Sequence, residues 1–184
     1  MIAKIKKCRK CELYKNQDPL IDQCYYKSIM VVGLSAKKIK EKDNIPLDKN
    51  TRSGKLIYEM ECISKKYGYE IYRTNLVKCV PLDSMGKLRY PTTGEINQCV
   101  ENIMIEINEI KPIAIILLGK QVQSTFESLY NVSFDGISGC SFEMVEVDTT
   151  RLIPVYHPSY VLRSLDRKNE YIKNFKKFIN TIDC

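Results

Sequence analysis

Cysteine carries most of the chemistry open to this chain. Eight cysteines stand at positions 8, 11, 24, 62, 79, 99, 140 and 184, against one histidine, His157. A Cys2His2 zinc site is therefore impossible, and any metal must lean on thiolates. Cys8 and Cys11 form a C-x2-C pair, whose spacing lets both sulfurs face one site from a tight turn. The pair lies in the Lys/Arg-rich segment MIAKIKKCRKCELYK, where no apolar pattern gives buried cysteines another motive. Cys79 ends a strand-like run and Cys99 falls inside the following helix, so these two can add a second pair. Four such sulfurs suit zinc or an iron–sulfur cluster. Cys24, Cys62, Cys140 and Cys184 read instead as buried, unligated core residues.

The elements that must position these groups follow from periodicity. IMVVG (29–33) is a short apolar run ending in glycine and predicts a buried strand. A helix follows over SGKLIYEMECISKKYG, with Ser53 as its cap, Leu56, Met60 and Ile63 on one face, and Gly68 as its stop. YEIYRTNLVKCV (69–80) is rich in β-branched and aromatic residues, as strands are. TGEINQCVENIMIEINEI (93–110) opens on a Thr cap, repeats apolar residues at helical spacing and stops before Pro112. IAIILLG (113–119) is a continuous apolar run, the mark of a strand covered on both faces. KQVQSTFESLY predicts a helix, SFEMVEV and RLIPVYH predict strands, and residues 167–182 predict an amphipathic helix. Alternating strands and helices specify a three-layer α/β/α sandwich with a mainly parallel central sheet. In such sheets ligands bind beyond the carboxyl ends of the strands. Gly33, Asn75, Gly119 and His157 all stand at or just after those ends.

The 184 residues match one domain, 1–184, with an N-terminal metal-binding segment. Hydrophobic residues at 44% and charged residues at 28% place the chain among soluble globular proteins. No apolar run is long enough to span a membrane, and the N-terminus lacks the apolar core of a secretion signal. A cytoplasmic monomer is expected, in whose compartment thiols stay reduced. The net charge of +7 favours a polyanionic partner.

Several segments together resemble the iron–sulfur (family 4) branch of the uracil-DNA glycosylases. C-x2-C followed by Glu12-Leu13 is similar to that family's opening, and TNLVKCVP (74–81) to its TN-hydrophobic-VKC-x-P segment. The helix around Cys99, ending in KP before IAIILLG, resembles the region of its fourth ligand, and VYHPSYVLRS (155–164) its HPS motif and wedge loop. The likeness spans nearly the whole chain in the right order. It implies a structural [4Fe–4S] cluster on Cys8, Cys11, Cys79 and Cys99, with zinc as the alternative. It also implies a monofunctional enzyme that flips a base from DNA, duplex or single-stranded, and hydrolyses its bond to the sugar. His157 would stabilise charge on the leaving base and Asn75 would read the pyrimidine edge. Gly33, Leu34, Ser35, Leu47 and Ser159 would complete the base site. Tyr160, Val161, Leu162 and Arg163 would enter the DNA where the base left.

The first motif departs from the family pattern G-E-x-P-G. In GLSAKKIKEKDNIPLDKNTRSGKLI (33–57), Leu34 replaces the acidic residue that positions water, and Leu47 stands where a Phe would stack on the base. Asp43 and Asp48 are the carboxylates this loop offers instead, although solvated loop charges would look the same. Lys87 and Arg89, in the polar stretch between Cys79 and Cys99, are expected to contact phosphates. The function expected is excision of uracil or a related pyrimidine. The alternatives are a different damaged or modified base, such as a phage-type pyrimidine, a DNA-binding protein that does not cut, and a zinc-stapled binding module.

Overall fold

The apolar runs become the inner strands of one sheet. The computed structural model describes residues 2–23, 27–38, 45–135 and 139–182. Strands β1 (Ser28–Ser35), β2 (Glu70–Val77), β3 (Ala114–Leu118), β4 (Val145–Val147) and β5 (Thr150–Val155) lie in the order β2-β1-β3-β5-β4. The first four in that order are parallel, and the edge strand β4 runs antiparallel to β5. Strand side chains alternate between the two faces. On one face Ile29 and Val31 meet Leu56, Ile57 and Met60 of α2 (Arg52–Ser64) and Tyr171, Phe175 and Phe178 of α6 (Leu165–Thr181). On the other, Met30 and Val32 meet Ile96, Ile103 and Ile107 of α3 (Thr93–Ile110) and Val122 and Phe126 of α4 (Lys120–Tyr130). Helices on both faces make the expected α/β/α sandwich.

The N-terminal segment is held along α3. A short helix α1 (Ile2–Ile5) buries Ile2 and Ile5, the Ile2 amide donates to Glu109 Oε2 at 2.7 Å, and Lys10 pairs with Glu101. The segment before β1 is anchored by Asp22, which accepts from the Arg73 amide at 3.0 Å and faces its guanidinium at 3.4 Å. Arg73 also pairs with Glu61 of α2, so one buried cation ties three parts of the chain together.

Local expectations are corrected in places. α2 is capped by Thr51, whose hydroxyl accepts from the Gly54 amide, and Ser53 lies buried inside the helix. α3 is capped by Thr92, in a reciprocal capping box with Glu95. The strand expected over SFEMVEV shrinks to Val145–Val147, because Phe142 takes a left-handed conformation and turns into the core against Tyr171 and Phe175. Cys62 is exposed, not buried, whereas Cys140 is buried as expected. Cys24 and Cys184 lie outside the described residues.

Candidate active site and four-cysteine site

The carboxyl ends of β1 and β2 and the turn after β5 border a cavity of about 370 Å³. That volume falls in the range of small-ligand sites. Leu34 and Ser35 from β1, Asn75 from β2, Leu47 and Asp48 from the loop before α2, and His157 from the turn after β5 all line it. Gly33 lies beneath the wall. A Cβ there would fall 2.4 Å from Asn75 Oδ1 and 3.2 Å from Leu47 Cδ2. Glycine is thus what lets the Asn75 amide and the Leu47 side chain sit side by side.

His157 is fixed from below. It caps the short helix α5 (Pro158–Val161), and its Nδ1 accepts from the Ser159 amide at 3.1 Å, with Ser159 Oγ at 2.8 Å. A backbone N–H can only donate, so Nδ1 is the acceptor and the ring proton of the neutral form sits on Nε2. Burial, and then the nearby charge of Lys37, push the His157 pKa below its ordinary value and favour that neutral form. Gly119 packs against the residue, since a Cβ there would lie 3.0 Å from His157 Cβ.

Asp48 is not a loose loop charge. Its Oδ1 accepts from the Asn50 amide at 2.7 Å, and its carbonyl accepts from the Thr51 amide and hydroxyl at 2.9 and 2.8 Å. Gly54 allows the turn to close on α2, because a Cβ there would overlap the Asp48 carbonyl at 1.8 Å. Leu47 takes a left-handed conformation at the start of this turn. Asp43 lies outside the described residues.

The residues expected to meet DNA separate into two groups. Tyr160 and Arg163 are exposed next to His157, and Arg167 lies over the Tyr160 ring at 4.1 Å from its centre. Val161 is fully buried in the core, so the expected wedge of four loses it, while Leu162 is half-buried against that core. The turn after His157 is helical, and helical spacing sends Val161 inward. Lys87 is exposed, as a phosphate contact requires. Arg89 is committed elsewhere. It makes a two-pronged pair with Glu95 at 2.8 and 2.6 Å and also bonds the carbonyls of Leu82 and Tyr90. The sequence reading missed Lys37, Lys38 and Tyr90, which line the same cavity. Only the chain's return through a turn brings Tyr90 there, and no local pattern signals it.

Just past the carboxyl end of β2, Cys8, Cys11, Cys79 and Cys99 line one small cavity. Asn102 Nδ2 reaches Cys8 Sγ at 3.5 Å and Cys99 Sγ at 3.6 Å, and the Lys78 amide reaches Cys99 Sγ at 3.5 Å. Burial, with the other three sulfurs adding to it, pushes the Cys79 thiol up to about 12. Thiolates so crowded need cationic company, and N–H donors aimed at sulfur are how proteins stabilise metal-bound thiolates. The donor set therefore fits a sulfur-ligated group. Among the described residues, no three His, Cys, Asp or Glu side chains close around a single-ion point. Between this cavity and the larger one lies a buried network. Lys78 Nζ donates to Thr74 Oγ1 at 2.6 Å and to the Asn75 carbonyl at 2.7 Å, and it pairs with Glu106. Thr74 and Tyr72 also donate to Glu106, at 2.8 and 2.9 Å.

Comparison with known proteins points the same way. The family model described as "Uracil DNA glycosylase superfamily" matches residues 24–181. The type-4 uracil-DNA glycosylase of Archaeoglobus fulgidus is 26% identical over 181 residues, covering 96% of this chain and 89% of that protein. That of Thermotoga maritima is 29% identical over 169 residues, covering 91% of this chain and 83% of its own length.

Proposed function

This chain belongs to the uracil-DNA glycosylase superfamily, and from that membership we propose that it excises uracil from DNA by hydrolysing the bond between base and sugar. The observation that carries the proposal is the convergence of Asn75 and His157 on one cavity at the carboxyl edge of the sheet. A flipped uracil presents a carbonyl oxygen and an N–H along one edge. The carboxamide of Asn75 offers an acceptor and a donor to match them. As the glycosidic bond breaks, negative charge builds on the base oxygens. His157, neutral and carrying its proton on Nε2, is a fixed donor for that charge, and a fixed donor needs no reorganisation when the charge appears. Keeping the ring neutral matters because Lys37 already makes the cavity positive.

Leu34 cannot orient water. Among the described residues Asp48 is the carboxylate lining the cavity, and its turn is pinned on three hydrogen bonds. We assign it the task of holding the attacking water or facing the cation-like sugar. Leu47 and Leu34 keep the floor apolar, which strengthens each polar contact above it.

The four cysteines are proposed to hold a [4Fe–4S] cluster, the group carried by the branch that the motifs resemble. What supports a sulfur-ligated group here is that the four thiols share one cavity and that the Asn102 and Lys78 N–H groups reach their sulfurs. The cluster supplies structure, pinning the N-terminal segment and the 79–99 stretch. Iron and sulfide analysis of the purified protein tests it, with zinc content as the opposing result.

The test of function is base release from oligonucleotides carrying uracil, hypoxanthine or modified pyrimidines, followed by alkaline cleavage at the abasic site. Uracil release with the strand left intact until alkali is the expected result. Release of another base but not uracil reassigns the substrate, and binding without release makes the protein a reader of DNA.

A further inference from the structure

The stretch from Leu82 to Tyr90 folds back on itself as a small hairpin at the mouth of the cavity. Leu82 and Leu88 form an isolated antiparallel bridge, and the Asp83 amide donates to the Lys87 carbonyl at 2.8 Å. Asp83 Oδ1 accepts from the amides of Met85 and Lys87, both at 2.9 Å. Arg89 locks the return strand: its amide donates to the Pro81 carbonyl at 3.1 Å, and its side chain bonds the Leu82 carbonyl, the Tyr90 carbonyl and Glu95. Glu95 is in turn part of the capping box that starts α3. The backbone at Tyr90 is therefore held on both sides.

A backbone so well tied carries side chains that are left out in water. Met85 is 72% exposed, Leu88 53% and Tyr90 79%. Single exposed apolar residues are ordinary, but three within six positions of one braced turn form a patch. Leu88 and Tyr90 also line the cavity that holds Asn75 and His157. The position where an aromatic ring is expected to stack on the base is instead the aliphatic Leu47, on the inner wall beside Gly33. The cavity thus has its hydrogen-bonding edge and its charge-stabilising donor deeper in, and Tyr90, the one Phe, Tyr or Trp among the described residues that line it, exposed at the rim.

Resting on the glycosylase reading, we propose that Tyr90 is the aromatic face against which the extruded pyrimidine stacks, and that the 82–90 hairpin is a second DNA-contacting element in addition to the Tyr160–Arg163 turn. Stacking of a base on an aromatic side chain is tolerant of base identity. Tyr90 therefore sets affinity for the extruded base, while Asn75 selects which base stays. The hairpin's rigidity is what makes an exposed ring useful, because little freedom remains to be lost on binding.

The chain contains no tryptophan, so Tyr90→Trp introduces a single reporter. Two duplexes serve as probes. One carries a 2′-fluorinated deoxyuridine, which resists cleavage because fluorine destabilises the cation-like sugar. The other carries a stable abasic analogue at the same position. The expected result is a change in Trp fluorescence with the first duplex and a much smaller one with the second. In parallel, Tyr90→Ala is expected to lower kcat/KM for uracil release by about 10- to 100-fold, mostly through KM, and Tyr90→Phe to stay near wild type. Equal fluorescence responses to both duplexes, or a Tyr90→Ala variant with wild-type KM, overturns the proposal. Failure of the glycosylase reading looks different: wild-type protein would then release no uracil, while the fluorescence comparison would still report whether an extruded base reaches Trp at this position.

Discussion

Gly33 and Asn75 stand opposite each other on adjacent parallel strands, and the space left by the missing side chain of one is filled by the amide of the other. A methyl group at residue 33 would lie 2.4 Å from Asn75 Oδ1, closer than any real contact. Gly33→Ala is therefore expected to displace the Asn75 amide, to which base reading is assigned above. Uracil release should fall by at least about 10-fold, one pair of polar contacts' worth of binding, with the visible spectrum unchanged. Single-turnover kinetics alongside an absorbance scan check this.

His157 should matter more than any carboxylate. Removing one fixed donor from a charge-stabilising site typically costs on the order of 100- to 1,000-fold, so His157→Ala should slow single-turnover base release by about that factor. Asp48→Ala should cost less. A dead Asp48→Ala beside a near-normal His157→Ala would reverse the assignment.

The pH profile follows from the same residue. The neutral ring is the donor-ready form set by the Ser159 amide, and burial followed by Lys37 lowers the His157 pKa. Activity should thus persist below the ordinary histidine value of about 6.5 before it falls on the acid side. Lys37→Ala removes a like charge, which raises the His157 pKa and moves the acid limb to higher pH. Stability has the same sign. The unfolded chain protonates its histidine first, so this residue costs the native state stability as pH drops below about 6.5 and costs nothing above it.

Cys8, Cys11, Cys79 and Cys99 form one donor set, whereas Cys62 is exposed and Cys140 lies in the other core. Alanine at any of the first four should bleach the protein and expose the N-terminal segment to protease. Cys62→Ala and Cys140→Ala should keep full iron content. Bleaching by Cys62→Ala would show the ligand set to be wrong.

Two basic residues two positions apart should behave differently on DNA. Lys87 is exposed, and Arg89 is tied to Glu95. Lys87→Ala should weaken binding evenly across sequences and make the salt slope shallower by about one phosphate's worth, near 0.9 in a log–log plot. Arg89→Ala should leave the slope nearly unchanged but loosen the hairpin, seen as faster proteolysis between residues 82 and 90.

Much of this was legible before any coordinates. Short continuous apolar runs read as strands covered on both sides, which gave β1 and β3, and the strands read over 69–80 and RLIPVYH put Asn75 and His157 toward the carboxyl edge. The pairing of Cys8 with Cys11 was legible because a C-x2-C in a basic segment has no packing motive, whereas Cys79 and Cys99 were ambiguous by themselves and joined the set only through the family resemblance. What stayed hidden depends on residues far apart in the chain. Nothing near Asp48 in the sequence shows that Gly54 lets its turn close. Nothing near Lys78 names Glu106 as its partner, 28 positions away. Val161 was misplaced because the helix start that Pro158 signals was weighed only as a surface helix, and the short sequence does not show that its turn sends Val161 into the core. The role of Arg89 as a clamp, in place of a phosphate contact, depends on the capping box at Glu95.

One face of α3 serves two masters. Cys99, Asn102 and Glu106 recur at intervals of three and four, the spacing that stacks side chains along one side of a helix. The first contributes a sulfur, the second bonds two sulfurs, and the third holds the lysine that grips the Asn75 carbonyl. A slip of one residue in the phase of this helix would turn all three away together, by about 100°. The two chemistries of the protein therefore share a single angular setting, and neither can drift in evolution without the other registering it.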